Sequence, residues 1–340
     1  MPVSEAVLEL LRGAGAEYVS GEEMARGLQV SRTAVWKAVR GLQEAGYEIE
    51  GSPRRGYLLA AVPDLLYPAE VAADLRTEII ACEASLIHHY METDSTNNRL
   101  KQLAEEGAPE GTVAIAEAQT AGRGRLGRSW AAPRGKGIWL SVLLKPLKPL
   151  EELSVFTLLT AVAVTGALKK KLPGTRAGIK WPNDVLIGGR KVCGILTELK
   201  AEADRLDYLI VGLGLNFSCG PEDFPPELAE TAVSLLMAAP ASVEGAGADA
   251  VTDAGVSRVE MTKEILRELE SVYRVYLTGG AEEILSRWRG DNVTLGRSVT
   301  VRNLKETISG IAVDLDRHGA LIVETDEGVR RKVIAGEIVL

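Results

Sequence analysis

Apolar positions in the first sixty residues recur at helical spacing. Residues 4–12 carry Val7, Leu8, Leu10 and Leu11, the inner face of a short helix. Ser20 with Glu23 three positions later has the form of a capping box, and Met24, Ala25 and Leu28 face inward from the helix it opens. Over residues 31–45, Ala34, Val35, Ala38, Val39 and Leu42 fall on one arc, while Arg32, Thr33, Trp36, Lys37, Arg40 and Gln43 fall on the other. With a turn at Gly27-Leu28-Gln29-Val30, the two helices make a helix-turn-helix. Residues 47–50 and 56–59 then alternate around Ser52-Pro53-Arg54-Arg55, which predicts a hairpin wing.

Beyond the linker Ala61-Val62-Pro63-Asp64 the pattern mixes strands and helices. A helix opened by Pro68 is expected over 66–76, a buried strand over 86–91, and a helix over 96–106 capped by Asp94 or Ser95. Strands are expected at 112–120 and 137–144, and a long helix at 153–172 whose Lys169-Lys171 end complements the helix dipole. Strand-like 178–180 and 185–187 flank Trp181-Pro182-Asn183-Asp184, which is turn chemistry. Gly188-Gly189 leads back into a strand at 190–199, and a turn at Ala203-Asp204 into another at 208–216. There glycine alternates with apolar residues, so either something flat approaches the backbone or strands pack closely. Residues 237–257 turn to Ala, Gly, Ser, Val and Asp, a flexible insertion without chemistry. Helices resume at 262–277 and 284–288, and 291–340 alternates in about five short strands, a small barrel. Three domains are expected: 1–62, 66–288 and 291–340.

Composition narrows the class. A chain of 340 residues is too long for one ordinary domain, and 46% hydrophobic with 25% charged residues is that of a soluble globular protein. A net charge of −8 argues against binding nucleic acid with the whole surface but leaves room for a local basic face. Cys82, Cys193 and Cys219 are odd in number, far apart and without metal spacing, which points to a reducing cytoplasm. The start has no basic-then-apolar leader, and no apolar run approaches membrane-spanning length, so no membrane is expected.

Candidate chemistry gathers in Gly122-Arg123-Gly124-Arg125-Leu126-Gly127-Arg128-Ser129-Trp130. Glycines let backbone amides approach a ligand, and successive amides in such a turn form an anion nest. Arginine adds a fixed charge and a donor fork suited to carboxylate or phosphate. The stretch spells a dinucleotide fingerprint and nearly a Walker loop, but no helix opens behind it as either would need. A basic solvated loop is the plainer alternative. Ser95-Thr96-Asn97 either caps a helix or turns hydroxyls and an amide toward a polar ring. In the N-terminal region Ser31, Arg32, Thr33, Trp36 and Lys37 would face a major groove, with Arg54 and Arg55 at phosphates; a helical protein-contact domain is the alternative.

In this order the helix-turn-helix, Asp94-Ser95-Thr96-Asn97, Gln119, the Gly/Arg stretch, Lys180-Trp181-Pro182-Asn183-Asp184, Lys191 with Gly194-Ile195-Leu196, Gly212-Leu213-Gly214-Leu215-Asn216 and the C-terminal strands resemble the bifunctional biotin protein ligases, also called biotin operon repressors. The resemblance covers essentially the whole chain. It implies an α+β multidomain protein: a winged helix-turn-helix, a central mixed β-sheet with helices of the class II synthetase-like kind, and a small SH3-like β-barrel. It implies that biotin and MgATP give biotinyl-5′-AMP, and that the biotin passes to a lysine of a biotin carboxyl carrier protein. It implies a cytoplasmic homodimer that binds operator DNA and represses biotin genes. Carried over onto this sequence, Ser95, Thr96, Asn97, Gln119, Arg123, Gly124, Arg125 and Lys191 line the biotin site. Arg123, Arg125 and Lys191 serve catalysis, Asn183 and Asn216 lie by the nucleotide, and Asp184 helps hold Mg²⁺. Leu126 departs from the family, where a basic or polar residue is usual, and the 237–257 insertion follows the region expected near adenine. A repressor with an inactive ligase domain, and a lipoate or octanoate ligase, are the alternatives.

Overall fold

The computed structural model describes residues 3–202, 205–238, 256–302 and 306–339. The expected insertion at 237–257 lies almost wholly outside them, as does the turn at 203–204. The chain divides into two compact units, Met1–Asp64 and Leu65–Leu340.

In the first unit α1 (Val3–Gly13), α2 (Gly21–Gly27) and α3 (Arg32–Glu44) pack through Val7, Leu8, Leu11, Met24, Val35, Val39 and Leu42, the apolar arcs of the sequence. The cap of α2 is simpler than a capping box: Ser20 Oγ accepts from Glu22 N at 3.2 Å. Ser31 Oγ accepts from Ala34 N at 3.1 Å and opens α3. Strands β1 (Glu48–Ser52) and β2 (Gly56–Ala61) form the antiparallel hairpin. Gly56 has φ +102°, and a Cβ there would collide with the Val19 carbonyl where Val19 bridges to Tyr57, so the hairpin lies against the chain before α2.

The second unit is built on a seven-stranded mixed sheet. Its strands are β3 (Ile87–Tyr90), β4 (Val113–Ala116), β5 (Gly137–Leu144), β6 (Ala177–Lys180), β7 (Asp184–Ile187), β8 (Arg190–Glu202) and β9 (Arg205–Asn216). They run in the order β3-β4-β5-β9-β8-β7-β6, with β3 and β4 parallel and the other pairs antiparallel. Side chains alternate between faces. Ala114, Leu143 and Ile210 meet Leu100 of α5 (Thr96–Glu105) on one face. Val113, Ile115, Val142 and Val211 belong to the main core with α6 (Val155–Lys171), α8 (Arg258–Gly279) and α9 (Ala281–Asp291). The stretch Leu150–Lys171 is long and apolar enough to cross a membrane, yet 67% of its apolar window is buried inside the fold, as befits a core helix.

One helix is shorter than expected and one short helix was not expected. The helix opened by Pro68 is α4 (Pro68–Ala72); it stops before Arg76 because Asp74 and Arg76 take φ of 56° and 57°, outside helical space. A four-residue α7 (Leu235–Ala238) ends where the description breaks. The C-terminal strands β10 (Ser298–Arg302), β11 (Thr307–Leu315), β12 (Leu321–Glu324), β13 (Arg330–Val333) and β14 (Glu337–Val339) form an antiparallel sheet in the order β13-β12-β11-β10-β14. Its edges β13 and β14 do not pair among the described residues, so the sheet is open where a barrel was expected. It shares the main core through Val299, Val301 and Leu321, and Trp181 Nε1 donates to the Gly319 carbonyl at 3.0 Å.

Candidate functional site

Where β4 and β9 end and β8 begins, near the start of α5, the second unit holds a cavity of about 1010 Å³. Ser95, Thr96, Asn97, Gln119, Arg123, Gly124, Arg125, Asn183, Asp184, Lys191 and Asn216 all line it. Residues more than a hundred positions apart are thus brought together by sheet order rather than by sequence proximity.

One end is a polar network at the α5 N-terminus. Neither Asp94 nor the Ser95 hydroxyl caps this helix: Gln119 Oε1 accepts from Thr96 N at 2.8 Å and lies 3.2 Å from Thr96 Oγ1. Asp94 instead accepts from Asn98 Nδ2 at 2.7 Å and pairs with Arg99. Ser141 Oγ of β5 lies 2.7 Å from Thr96 Oγ1 and 2.6 Å from Asn97 Oδ1. Asn97 Nδ2 donates to Glu198 Oε2 at 2.7 Å. Its amide rests on Gly212, where any Cβ would strike it.

The Gly/Arg stretch closes its own base. Trp130 N donates to Gly122 O at 2.8 Å and Gly124 N to Arg128 O at 2.7 Å, with a bridge between Arg123 and Ser129. At the tip Leu126 has φ 56° and is 62% exposed. The indole of Trp130 lies over the paired glycines Gly194 and Gly214: a Cβ at Gly194 would stand 2.7 Å from Cζ3, and one at Gly214 2.6 Å from Nε1. The flat group that these strand glycines admit is therefore the chain's own tryptophan. Its Nε1 is buried with no hydrogen-bond partner among the described residues.

The cations differ in their surroundings. Arg123 donates to Glu198 Oε2 at 2.8 Å, and Arg128 pairs with Glu337 of β14. Arg125 is half-buried and donates to Asn183 Oδ1 at 3.2 Å. Burial lowers the Arg125 pKa, and Asp184 and Glu337 oppose the shift. Lys191 Nζ lies 2.7 Å from Asp184 Oδ1 and 5.2 Å from the Trp130 ring centre. Lys180 is pulled below the usual lysine range by burial; Asp184 and Glu337 oppose this, while Lys191 adds to it. Asn183 Nδ2 and Asn216 Nδ2 donate to the Ile195 and Val233 carbonyls, each at 3.1 Å. No cluster of three or more His, Cys, Asp or Glu suited to a metal exists among the described residues.

In the first unit Ser31, at the start of α3, and Arg32, Thr33 and Lys37 on it are exposed, and Trp36 is 52% exposed with the Arg40 guanidinium 6.0 Å from its ring centre. Arg54 and Arg55 are exposed at the hairpin tip. Arg55 stacks over Tyr18 at 3.9 Å, and the Tyr18 hydroxyl donates to Glu50 Oε2 at 2.7 Å.

Sequence reasoning missed Ser141, Glu198, Lys180 and Trp130 as site residues. Lys180 and Trp130 stand inside stretches already singled out by composition. Ser141 and Glu198 sit in ordinary strand runs, and only the pairing of β5 and β8 beside β9 brings them to the site.

Comparison with known proteins agrees with this architecture. Residues 90–216 match the biotin/lipoate A/B protein ligase family, 294–340 the biotin protein ligase C-terminal domain, and 4–58 an HTH domain. The bifunctional ligase/repressor BirA of Bacillus subtilis is 39% identical over 98% of this chain and 97% of its own; that of Escherichia coli is 28% identical over 96% and 94%. The biotin protein ligase from Aquifex aeolicus, solved in complex with biotin and ATP, superposes with a TM-score of 0.59 at 28% identity, covering 74% of this chain and 97% of that one. The chain belongs to the family of bifunctional biotin ligase/repressors.

Proposed function

We propose that the second unit activates biotin with ATP and transfers it to a lysine of a biotin carboxyl carrier protein, and that the first unit makes the protein a biotinyl-AMP-dependent repressor. The observation that carries the enzyme half is one continuous cavity with the hydroxyls and amides of Ser95, Thr96, Asn97 and Gln119 at one end and Arg125, Lys180 and Lys191 around the rest. In the first step a biotin carboxylate oxygen bonds to the α-phosphorus of ATP, and the bond to the bridging oxygen breaks to release pyrophosphate. In the second the carrier ε-amine bonds to the acyl carbon, AMP leaves with the former carboxylate oxygen, and the amine loses a proton. Two anions meet in the first step, so cations at the junction stabilise its transition state most. No side-chain nucleophile is needed; position and charge suffice.

Ser95, Thr96, Asn97, Gln119, Arg123, Gly124, Arg125 and Lys191 are assigned to biotin, with Arg123, Arg125 and Lys191 serving catalysis and Asn183 and Asn216 beside the nucleotide. The Asp184 carboxylate is held by Lys191, and the described residues offer no protein-made metal cage. Asp184 would supply the one protein carboxylate to a Mg²⁺ brought with ATP, a mode usual for this ion. Such a cation would offset phosphate charge. Residues 1–62 are assigned to operator DNA through Ser31, Arg32, Thr33, Trp36, Lys37, Arg54 and Arg55, residues 66–288 to catalysis, and 291–340 to an SH3-like barrel with its seam between β13 and β14. A cytoplasmic homodimer completes the proposal, since a two-fold protein suits a palindromic operator. The test is transfer of labelled biotin to a carrier-domain lysine. Labelling that requires both ATP and that lysine is expected; a carrier left unlabelled with both substrates present would overturn the assignment.

A further inference from the structure

The Gly/Arg loop is a self-closed hairpin, so its side chains determine how it sits over the cavity. Three of its arginines reach outward: Arg125 to Asn183, Arg128 to Glu337, and Arg123 to Glu198. The Arg128 pair is mostly solvent-exposed, where an ion pair contributes little. Arg125 stands in the reacting region. The Arg123 pair differs because its carboxylate is also held by residues outside the loop. Glu198 Oε1 accepts from Lys101 Nζ at 2.7 Å, and Oε2 accepts from Asn97 Nδ2 at 2.7 Å as well as from Arg123. Glu198 projects from β8 and Asn97 and Lys101 from α5, so two rigid elements hold it. Beneath the loop a second cavity of about 290 Å³ has Glu198 and Leu196 on one side and residues 123–128 on the other.

We infer that Glu198 is a positioning residue that latches the Gly/Arg loop over the active site through Arg123, and that this latch retains the biotinyl-adenylate. Burial would raise the Glu198 carboxyl, but hydrogen bonds from Lys101 and Asn97 and the charge of Arg123 hold it below the usual glutamate range. The latch is therefore charged at neutral pH. The same Glu198 oxygen meets both Arg123 and Asn97, so the loop is tied to the polar end of the cavity. An unlatched loop would leave the mixed anhydride open to water, which attacks the acyl carbon and releases AMP and free biotin.

The inference rests on the proposed ligase activity, and its test keeps the two separable. Glu198→Gln preserves shape and an acceptor for Asn97 but removes the charge; Lys101→Met removes the other cation and spares the latch. Tryptic cleavage within residues 123–128, and AMP release without carrier, would be compared for both variants and wild type. Glu198→Gln should raise both by on the order of ten-fold, the size of one charge-assisted hydrogen bond, and Lys101→Met, which leaves Asn97 and the Arg123 pair in place, should raise them by clearly less. Equal rises in the two variants, or a Glu198→Gln enzyme with loop cleavage and AMP release unchanged, would overturn the latch. Should Glu198→Gln fail to fold, Glu198→Asp, one methylene short, carries the same comparison. Wild type without biotin-dependent pyrophosphate exchange would sink the ligase function instead, and the cleavage arm would still decide whether Glu198 holds the loop.

Discussion

In the proposed ligase reaction, Arg125 is the loop arginine assigned to the reacting charges. Arg123 and Arg128 are engaged by carboxylates, whereas Arg125 is half-buried against the Asn183 amide beside Asp184 and Lys191. Arg125→Ala should lower biotin-dependent adenylation by roughly 10²-fold, the usual effect of removing one preorganised transition-state donor. Loss in kcat with little change in KM for biotin would place that donor in the transition state; a change in KM alone would mean that Arg125 only binds substrate. The alternating glycines of β9 show what could be read at this scale and what could not. Strand glycine announced a flat neighbour, and Trp130 supplies one over Gly214. Nothing in residues 190–202 announced Glu198, because its partners Asn97, Lys101 and Arg123 lie on a helix and a loop about 75 to 100 positions earlier.

At the scale of elements, one buried network ties the unit's first residues to its sheet and long helix. Glu117, just after β4, accepts from Leu66 N at 2.8 Å and from Arg258 at 2.7 Å, and lies 3.1 Å from His89 Nε2. Arg258, the first residue of α8, also donates to the Gly137 carbonyl of β5. Burial would raise the Glu117 carboxyl, but His89, Arg258 and the Leu66 amide bring it to about 2. A carboxyl depressed on folding stabilises above its unfolded pKa, and the contribution fades as pH falls toward the folded value. Glu117→Gln should therefore cost about 3 kcal/mol at neutral pH, as when one partner of a buried pair is lost. The difference from wild type should shrink between pH 4.5 and about 2 in chemical denaturation; a difference independent of pH would contradict the network. The elements themselves were largely legible, because period fixes type: α3, β5, α6 and β9 fall where their apolar patterns put them. The shortened α4 was not, since apolar spacing continued past Ala72 and only the positive φ values of Asp74 and Arg76 ended the helix. Helix α5 was legible, but its cap was not: the acceptor is a glutamine 23 positions away.

For the whole molecule, a net charge of −8 coexists with a first unit whose exposed α3 face and hairpin tip carry Arg32, Lys37, Arg40, Arg54 and Arg55. If the wing arginines meet phosphates, Arg54→Ala and Arg55→Ala should weaken operator and non-operator DNA alike. Each should reduce the slope of log affinity against log salt by about 1. An unchanged slope with altered sequence preference would put them at base edges instead. The order of the helix-turn-helix, ligase and C-terminal regions could be read from the chain because their motifs occur in sequence; the open C-terminal sheet could not, since strand periodicity says nothing about whether edges pair. The most direct test of the central claim is ATP–pyrophosphate exchange driven by biotin, with lipoate as control. Exchange with biotin and not lipoate is predicted. Exchange with lipoate in place of biotin, or with neither acid, would contradict it.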